Sequence, residues 1–303
     1  MSFANTSGIL LLDKPCGMSS STAVQRVRHA FGRIKAGHTG SLDPLATGVL
    51  PICLGEGTKV AGYLLDGDKE YEFTARFGAR TSTGDLEGPV VETADVPPDL
   101  EARLLAAMRA FIGTVRQIPP MYSALKRDGQ PLYRLARQGI EVEREARTIQ
   151  IRRLELLRME GADAVCRVRC SKGTYVRTLA EDLARTIGSC AHLSALRRTA
   201  VAPFEGQPMH SLESVLAAPQ AIPILAADAA LPHLPAVMLT GEAAARLRMG
   251  QMVPCGDQAA PGLARAYGPG GAFLGVTEIQ LLPGQGALLK PVRLFNHLAS
   301  DST

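Results

Sequence analysis

The residue in this sequence best placed to do chemistry is Asp43, in the run Gly37-His38-Thr39-Gly40-Ser41-Leu42-Asp43-Pro44-Leu45-Ala46-Thr47-Gly48. Pro44 keeps Asp43 out of the helical region, in an extended or turn conformation. Glycines at 37, 40, 48, 55 and 57 leave the backbone free where side chains would clash. The following Val49-Leu50-Pro51-Ile52-Cys53-Leu54 reads as a short buried strand, and its proline predicts an edge or irregular position. A single carboxylate on a stiff loop over an apolar strand suits acid–base or nucleophilic work. Taken alone, an Asp-Pro pair serves equally well as a turn whose carboxylate caps backbone N–H groups.

The elements that must hold Asp43 lie on either side. Gly8-Ile9-Leu10-Leu11-Leu12 reads as a buried strand ending at Asp13-Lys14-Pro15. Several possible N-caps follow at Ser19 to Ser21, and Val24, Val27, Phe31 and Ile34 then recur at helical spacing with Arg26, Arg28 and Arg33 between them. Beyond the loop, Tyr71, Phe73, Ala75 and Phe77 alternate with Glu70, Glu72, Thr74 and Arg76. That is a half-buried strand with Tyr71 on its apolar side. Turn signals at Gly84-Asp85 and Gly88-Pro89 predict a hairpin-like return through Val90 and Val91. Pro98 opens a helix with Leu100, Leu104, Leu105, Met108 and Phe111 as its core stripe and Gly113 as its stop.

Residues 116–153 carry nine Lys/Arg against four acids, a local net of +5, with Tyr122 and Tyr133 interleaved. Basic residues and aromatics in a loop-rich stretch suit a grip on phosphates and bases, although a solvated charged surface has the same composition. Strands follow at Ile149–Met159 and around Cys166, Val168 and Cys170. Ser171-Lys172-Gly173-Thr174 then turns into a helix carrying Val176, Leu179, Ala180, Leu183 and Ile187. Arg177 in its first turn opposes the helix dipole unless a carboxylate pairs with it, which is a hint of function. Six prolines between 203 and 235 mark connectors, and a tight Gly268–Gly271 turn beside two alternating segments predicts a small β-rich C-terminal domain.

Composition narrows the classes. The chain has 303 residues, 46% hydrophobic and 20% charged, with a formal net charge of +4. It fits one large or two unequal globular domains and is only mildly basic. Cysteines 16, 53, 166, 170, 190 and 255 show no C-x-x-C pair and no metal-ligand spacing with the six histidines, so free structural thiols are expected. No secretory leader and no apolar run of about 18 residues is visible, which predicts a cytoplasmic protein without a membrane contact.

The block from Gly37 to Lys59 resembles the catalytic block of the TruB family of pseudouridine synthases, which make the T-loop pseudouridine of tRNA at position fifty-five. Ser171-Lys172-Gly173-Thr174-Tyr175-Val176-Arg177-Thr178-Leu179-Ala180-Glu181-Asp182-Leu183 is similar to the family's second signature, and Leu196-Arg197-Arg198-Thr199 to a third. The basic stretch resembles the family's tRNA-binding insertion through Met121-Tyr122-Ser123-Ala124-Leu125-Lys126 and Tyr133. The resemblance covers nearly all of residues 8–200 and is loose in the C-terminal part. It implies an α+β fold: a pseudouridine synthase core with a mixed, largely antiparallel sheet flanked by helices, plus a PUA-like β-rich domain. The expected division is 1–232 for the catalytic domain, with its insertion at about 116–153, and 233–303 for the PUA-like domain.

The resemblance also implies the chemistry. The C1′–N1 bond breaks, the uracil turns and it rejoins through C5, so no cofactor, metal or energy source is required. Asp43 is the essential residue, either attacking covalently or removing a ribose proton. Arg177 pairs with Asp43, Tyr71 stacks on the uracil and takes part in removing the C5 proton, and Leu196 packs the far side of the pocket. The target base must first be extruded. His38 is then a wedge filling the gap, or simply a hydrogen-bonded loop histidine. Tyr175, Lys172, Lys126, Arg127, Tyr133 and Arg137 are the expected RNA contacts. Lys14 and Pro15 are expected to brace the active-site loop.

The expected partner is the tRNA T arm, bound by a monomer with no obligate protein partner. Guide-RNA-dependent relatives borrow their grip and usually bear basic tails. Here the basic stretch is long and the Ser300–Thr303 tail is neither long nor basic. An RNA-folding chaperone would need the basic surfaces but not Asp43. No Ser/His/Asp or Cys/His pattern points to a hydrolase.

Overall fold

A computed structural model describes residues 3, 5–256, 260–283 and 286–296. The N-terminal part runs β1 (Gly8–Lys14), α1 (Ser20–Ala30), β2 (Ala36–His38), β3 (Thr47–Leu54), α2 (Ala61–Leu64) and β4 (Lys69–Phe77). A ribbon of β5 (Ala79–Thr81) and β6 (Val90–Thr93) follows, then α3 (Leu100–Ala110) and β7 (Gly113–Gln117). The basic stretch holds β8 (Lys126–Arg127), β9 (Gln130–Pro131) and α4 (Leu132–Arg137). After it come β10 (Arg147–Glu160), β11 (Asp163–Cys170), α5 (Val176–Thr186), β12 (Ala191–Val201), β13 (His210–Ser211) and α6 (Leu212–Ala217). The C-terminal part holds β14 (Ala236–Met238), α7 (Gly241–Arg248), β15 (Val253–Pro254), β16 (Gly262–Tyr267), β17 (Phe273–Leu282) and β18 (Gly286–Leu294).

Nine of the first thirteen strands build one sheet in the order β13-β1-β3-β12-β4-β11-β10-β7, with β2 also paired to β3, while β5/β6 and β8/β9 form two-stranded ribbons of their own. Only β1/β13 and β3/β12 are parallel, so the sheet is mixed and largely antiparallel. The C-terminal strands form a separate five-stranded sheet in the order β14-β16-β17-β18-β15. This is the α+β architecture the resemblance implies, a mixed, largely antiparallel sheet flanked by helices with a small β-rich C-terminal part.

Strands β1 and β3 are apolar at nearly every position because both of their faces are buried. Leu10, Leu12, Leu50, Ile52 and Leu54 point to one side, where α1, α3, α5 and α6 pack. Ile9, Leu11, Val49 and Cys53 point to the other, against Val276 and Phe295 of the C-terminal part. The two sheets are thus joined through a shared core. Farther along the sheet the second face is polar, and its charges are paired, as in Arg167–Glu72 at 3.4 Å and Arg169–Glu205 at 3.1 Å.

One local expectation resolves between its alternatives and two need correction. Of the edge or irregular position that its proline predicted, strand β3 takes the irregular one, inside the sheet. Pro51 is tolerated because the ladder changes partner there: β12 pairs only at Thr47 and Gly48, and β2 takes over at Ile52. The Pro51 carbonyl accepts from the Thr39 N–H at 3.1 Å on that side, so the missing N–H of Pro51 falls in the gap. In α3, Leu105 is 43% exposed, and Ala107 joins Leu100, Leu104 and Met108 on the core face instead. Helix α1 ends at Ala30 because Gly32 and Arg33 both take positive φ, leaving Ile34 outside it.

The basic stretch also proves composite. Its ends are sheet strands, with Arg116 on β7 and Arg147, Arg152 and Arg153 on β10, so only residues 118–146 leave the sheet. The Ser300–Thr303 tail lies outside the described residues.

Gly48 is where the parallel β3/β12 contact demands glycine. Its φ is +100°, and a Cβ there would lie 2.1 Å from the Arg198 carbonyl oxygen. Gly48→Ala is expected to destabilise the chain by more than about 1 kcal/mol, read by urea unfolding. A loss under half of that would contradict this close approach.

All six cysteines are free; Cys53, Cys166, Cys170 and Cys190 are buried, and Cys16 is exposed. Burial pushes the Cys53 and Cys166 thiols up to about 12. No helix among the described residues is long and apolar enough to cross a membrane.

Candidate active site

Asp43 sits on the loop between β2 and β3, and Arg177 in the first turn of α5 reaches it across the sheet end. Arg177 Nε lies 2.9 Å from Asp43 Oδ2 and 3.9 Å from Asp85 Oδ2. The rest of the guanidinium is also used: Nη1 donates to the Thr83 carbonyl at 2.6 Å and Nη2 to the Tyr122 carbonyl at 2.7 Å. The Arg177 side chain is 5% exposed, whereas that of Asp43 is 40% exposed and opens into a cavity. A planar, always-charged fork holds these three hydrogen-bond acceptors in fixed directions while lying beside Asp85, which an ammonium cannot.

That cavity is about 620 Å³. It brings together Asp43, Tyr71, Arg177, Leu196, Tyr175 and Lys172, with Lys69, Ser123 and Arg198 also in its wall. A cleft of this kind, part apolar with a few convergent polar groups, is an ordinary binding-site form. Tyr71 and Leu196 come from β4 and β12, which pair side by side, and the burial that makes β4 alternate aims Tyr71 at the cavity.

Electrostatics at Asp43 are contested. Burial raises its carboxyl above the ordinary range, Arg177 opposes this, and Asp85 raises it further. Glu87 is pushed up as well, first by burial and then by Asp85 and Asp43. Two carboxylates, Asp43 and Asp85, therefore share one buried arginine, with Glu87 nearby. Burial also holds the Tyr71 phenol above its ordinary value, with Arg198 pulling it back.

Apart from Lys172 at the rim, the other expected residues lie outside the cavity wall. Lys14 is fully buried and donates from Nζ to the carbonyls of Pro15 and Met18 at 2.8 Å and of Pro44 at 3.4 Å. It therefore ties the end of β1 to the residue after Asp43. His38 is half-buried on β2, its Nδ1 has no hydrogen-bond partner among the described residues, and burial followed by Arg198 lowers its pKa, which keeps it neutral. Lys126 and Arg127 are exposed on the β8/β9 ribbon, and Arg137 stacks on the Tyr133 ring of α4 at 5.7 Å. Lys172, at the cavity rim, is exposed and pairs with Asp66 at 2.5 Å.

Two important residues escaped the sequence reading. Asp85 looked like one more turn aspartate, yet it is 3% exposed and anchored by Thr83 Oγ1 at 2.5 Å and the Glu87 N–H at 3.1 Å. Arg198 is buried, donating to the carbonyls of Val49 at 2.8 Å and Gly40 at 3.1 Å. The available signal was the Leu196-Arg197-Arg198-Thr199 run, where a double arginine inside an alternating strand must bury one member. Among the described residues no group of three or more His, Cys, Asp and Glu side chains is placed to hold a metal ion.

Comparison with known proteins decides the family. The model of the TruB family pseudouridylate synthase N-terminal domain matches residues 28–176. Two C-terminal models, described as "tRNA pseudouridylate synthase B C-terminal domain" and "Pseudouridine synthase II TruB, C-terminal", match residues 177–231 and 235–295. The chain belongs to the TruB family of pseudouridylate synthases. It is an enzyme, an isomerase. It is 46% identical to the tRNA pseudouridine synthase B of Neisseria meningitidis, over 97% of this chain and 96% of that one. It is 49% identical to that of Pseudomonas aeruginosa, over 90% and 92%. Among solved structures, Cbf5 in a crystal structure of a Cbf5–Nop10–Gar1 complex shares its fold, with a TM-score of 0.72 at 26% identity, over 98% of this chain and 86% of that one.

Proposed function

We propose that this chain isomerises one T-loop uridine of tRNA, at position fifty-five, to pseudouridine, with Asp43 as the essential carboxylate. The observation that carries the reading is the Asp43–Arg177 pair at 2.9 Å, opening into a cavity walled by Tyr71 and Leu196. The family relationship and the named relatives support tRNA as the substrate.

In this reading the uridine is drawn out of the T loop, at a cost of a few kcal/mol, and enters between Tyr71 and Leu196. Arg177 fixes the Asp43 carboxylate so that one oxygen faces the ribose or base, for attack or for proton removal. Tyr71 holds the uracil by stacking while it turns, and its phenol takes part in loss of the C5 proton. His38, neutral and lacking a partner at Nδ1, fills the space the base leaves. Lys126, Arg127, Tyr133 and Arg137 on the 118–146 segment, with Lys172 and Tyr175 at the cavity, hold the arm by phosphate and stacking contacts. Lys14 and Pro15 keep the Asp43 loop in register. The enzyme acts as a monomer in the cytoplasm, with its catalytic domain ending near residue 232, between the matched segments that end at 231 and begin at 235.

Incubation of an unmodified tRNA transcript with the protein, followed by pseudouridine mapping, tests this. One pseudouridine in the T loop, also formed on an isolated T-arm stem-loop, is expected. Pseudouridine elsewhere, or none without an added guide RNA, would overturn it.

The raised Asp43 carboxyl gives a pH signature. If ionised Asp43 is the active form, turnover falls as pH drops through a value above the roughly 3.9 of a free aspartate. Single-turnover rates on the stem-loop should therefore show an acid limb on the neutral side of that value. A limb at about 4 or below would remove Asp43 as the titrating group.

A further inference from the structure

Gln117 closes β7, at the point where the chain leaves the nine-stranded sheet for the 118–146 segment. Its side chain belongs to a residue only 3% exposed, and it makes two hydrogen bonds, one from each end of its amide, to a single backbone residue. Oε1 accepts from the Tyr175 N–H at 2.8 Å, and Nε2 donates to the Tyr175 carbonyl at 3.1 Å. Tyr175 is the N-cap of α5 and has no capping hydrogen bond from its own side chain. Arg177 stands two residues later, and its Nη2 returns to the same segment at the Tyr122 carbonyl. The exit from β7, the 118–146 segment and the first turn of α5 are thus closed into one ring by Gln117 and Arg177.

We propose that Gln117 is a positioning residue for the isomerase. Its amide fixes the first turn of α5 so that Arg177 meets Asp43. This rests on the roles given above to Asp43 and Arg177. A helix start has unpaired N–H groups and an adjustable entry angle, so a buried amide holding both backbone groups of the N-cap removes that freedom. The direction of the Arg177 fork follows from it.

The test compares Gln117→Met, close in length but unable to donate or accept strongly, with Gln117→Glu, which keeps the acceptor and loses the donor. Single-turnover rates and affinities are measured on a T-arm stem-loop, with circular dichroism as the check of folding. Gln117→Met is expected to slow turnover about 10- to 100-fold, the scale of a small misplacement of reacting groups, while affinity stays within about twofold. Gln117→Glu should fall between, and it is the variant read if Gln117→Met does not fold. In an Arg177→Lys background the Gln117 change should cost nothing further, because the two act through one ion pair. Full additivity with Arg177→Lys, or affinity falling as far as rate, would mark Gln117 as structural only and overturn the proposal. Asp43→Asn separates the two readings. If Asp43→Asn still turns over, the assigned site is wrong. If it is inactive while both Gln117 variants keep wild-type rates, only the role of Gln117 fails.

Discussion

Replacing Asp43 by asparagine is expected to slow pseudouridine formation by about 10³- to 10⁴-fold while leaving affinity for the T arm unchanged. The amide keeps the size and one acceptor of the carboxylate, so the Arg177 geometry has little reason to collapse. What is lost is the negative charge and the lone pair that can attack or take a proton. Stability should not fall. A carboxyl whose folded pKa is raised above its unfolded value is favoured by folding in its protonated form, so its contribution is full at low pH and is lost as pH rises through the folded value. At neutral pH the ionised Asp43 therefore works against the fold, and a neutral isostere removes that load. Urea unfolding of Asp43→Asn at neutral pH should give a midpoint equal to or above wild type. A variant with wild-type turnover would end the one-carboxylate mechanism. A variant that binds RNA poorly and unfolds early would mean Asp43 is a structural turn residue, as an Asp-Pro pair so often is.

Arg177→Met should behave in the opposite way, losing both stability and turnover. Arg177 is the only cation ion-paired with Asp85 among the described residues, and both side chains are about 5% exposed or less. Removing one member of a buried charged set generally costs about 3–5 kcal/mol. The half-open Asp43 adds little to that figure, because water can solvate it. The carbonyls of Thr83 and Tyr122 would also lose their donors, which loosens the β5/β6 ribbon and the root of the 118–146 segment together. Turnover should drop by about 10²- to 10³-fold, in the range of removing one preorganised electrostatic donor. Arg177→Lys should recover part of the stability but little of the turnover, since an ammonium cannot span Asp43 and two carbonyls at once. If Arg177→Met unfolds within about 1 kcal/mol of wild type, the buried cluster is not the anchor described here.

Much of the scaffold around this site was legible because its signals are local. Period-two alternation marks β4, and Ser19 followed by Val24 and Val27 marks α1. The glycine-flanked Asp-Pro marks the loop that carries Asp43. Charge composition picked out the basic stretch, yet composition could not separate the arginines of β7 and β10 from those of the 118–146 segment. Sheet pairing, which decides that, joins residues far apart in the chain. Pro51 shows the same limit. A proline argues for an edge strand until the sheet is seen to change partner at that residue.

The sequence by itself determined which strands and helices carry the candidate groups and, through three spaced signatures, the family the chain belongs to. Only the tertiary structure decided that Arg177 serves Asp43 and Asp85 at once, that Arg198 is buried beside Tyr71, and that Gln117 holds the N-cap of α5. The physical reason is that each of these contacts lies between elements that meet across the sheet. There a buried charge or amide must find its partners wherever the fold places them. No spacing along the chain encodes that choice, because the cost of an unpaired buried polar group is settled in three dimensions.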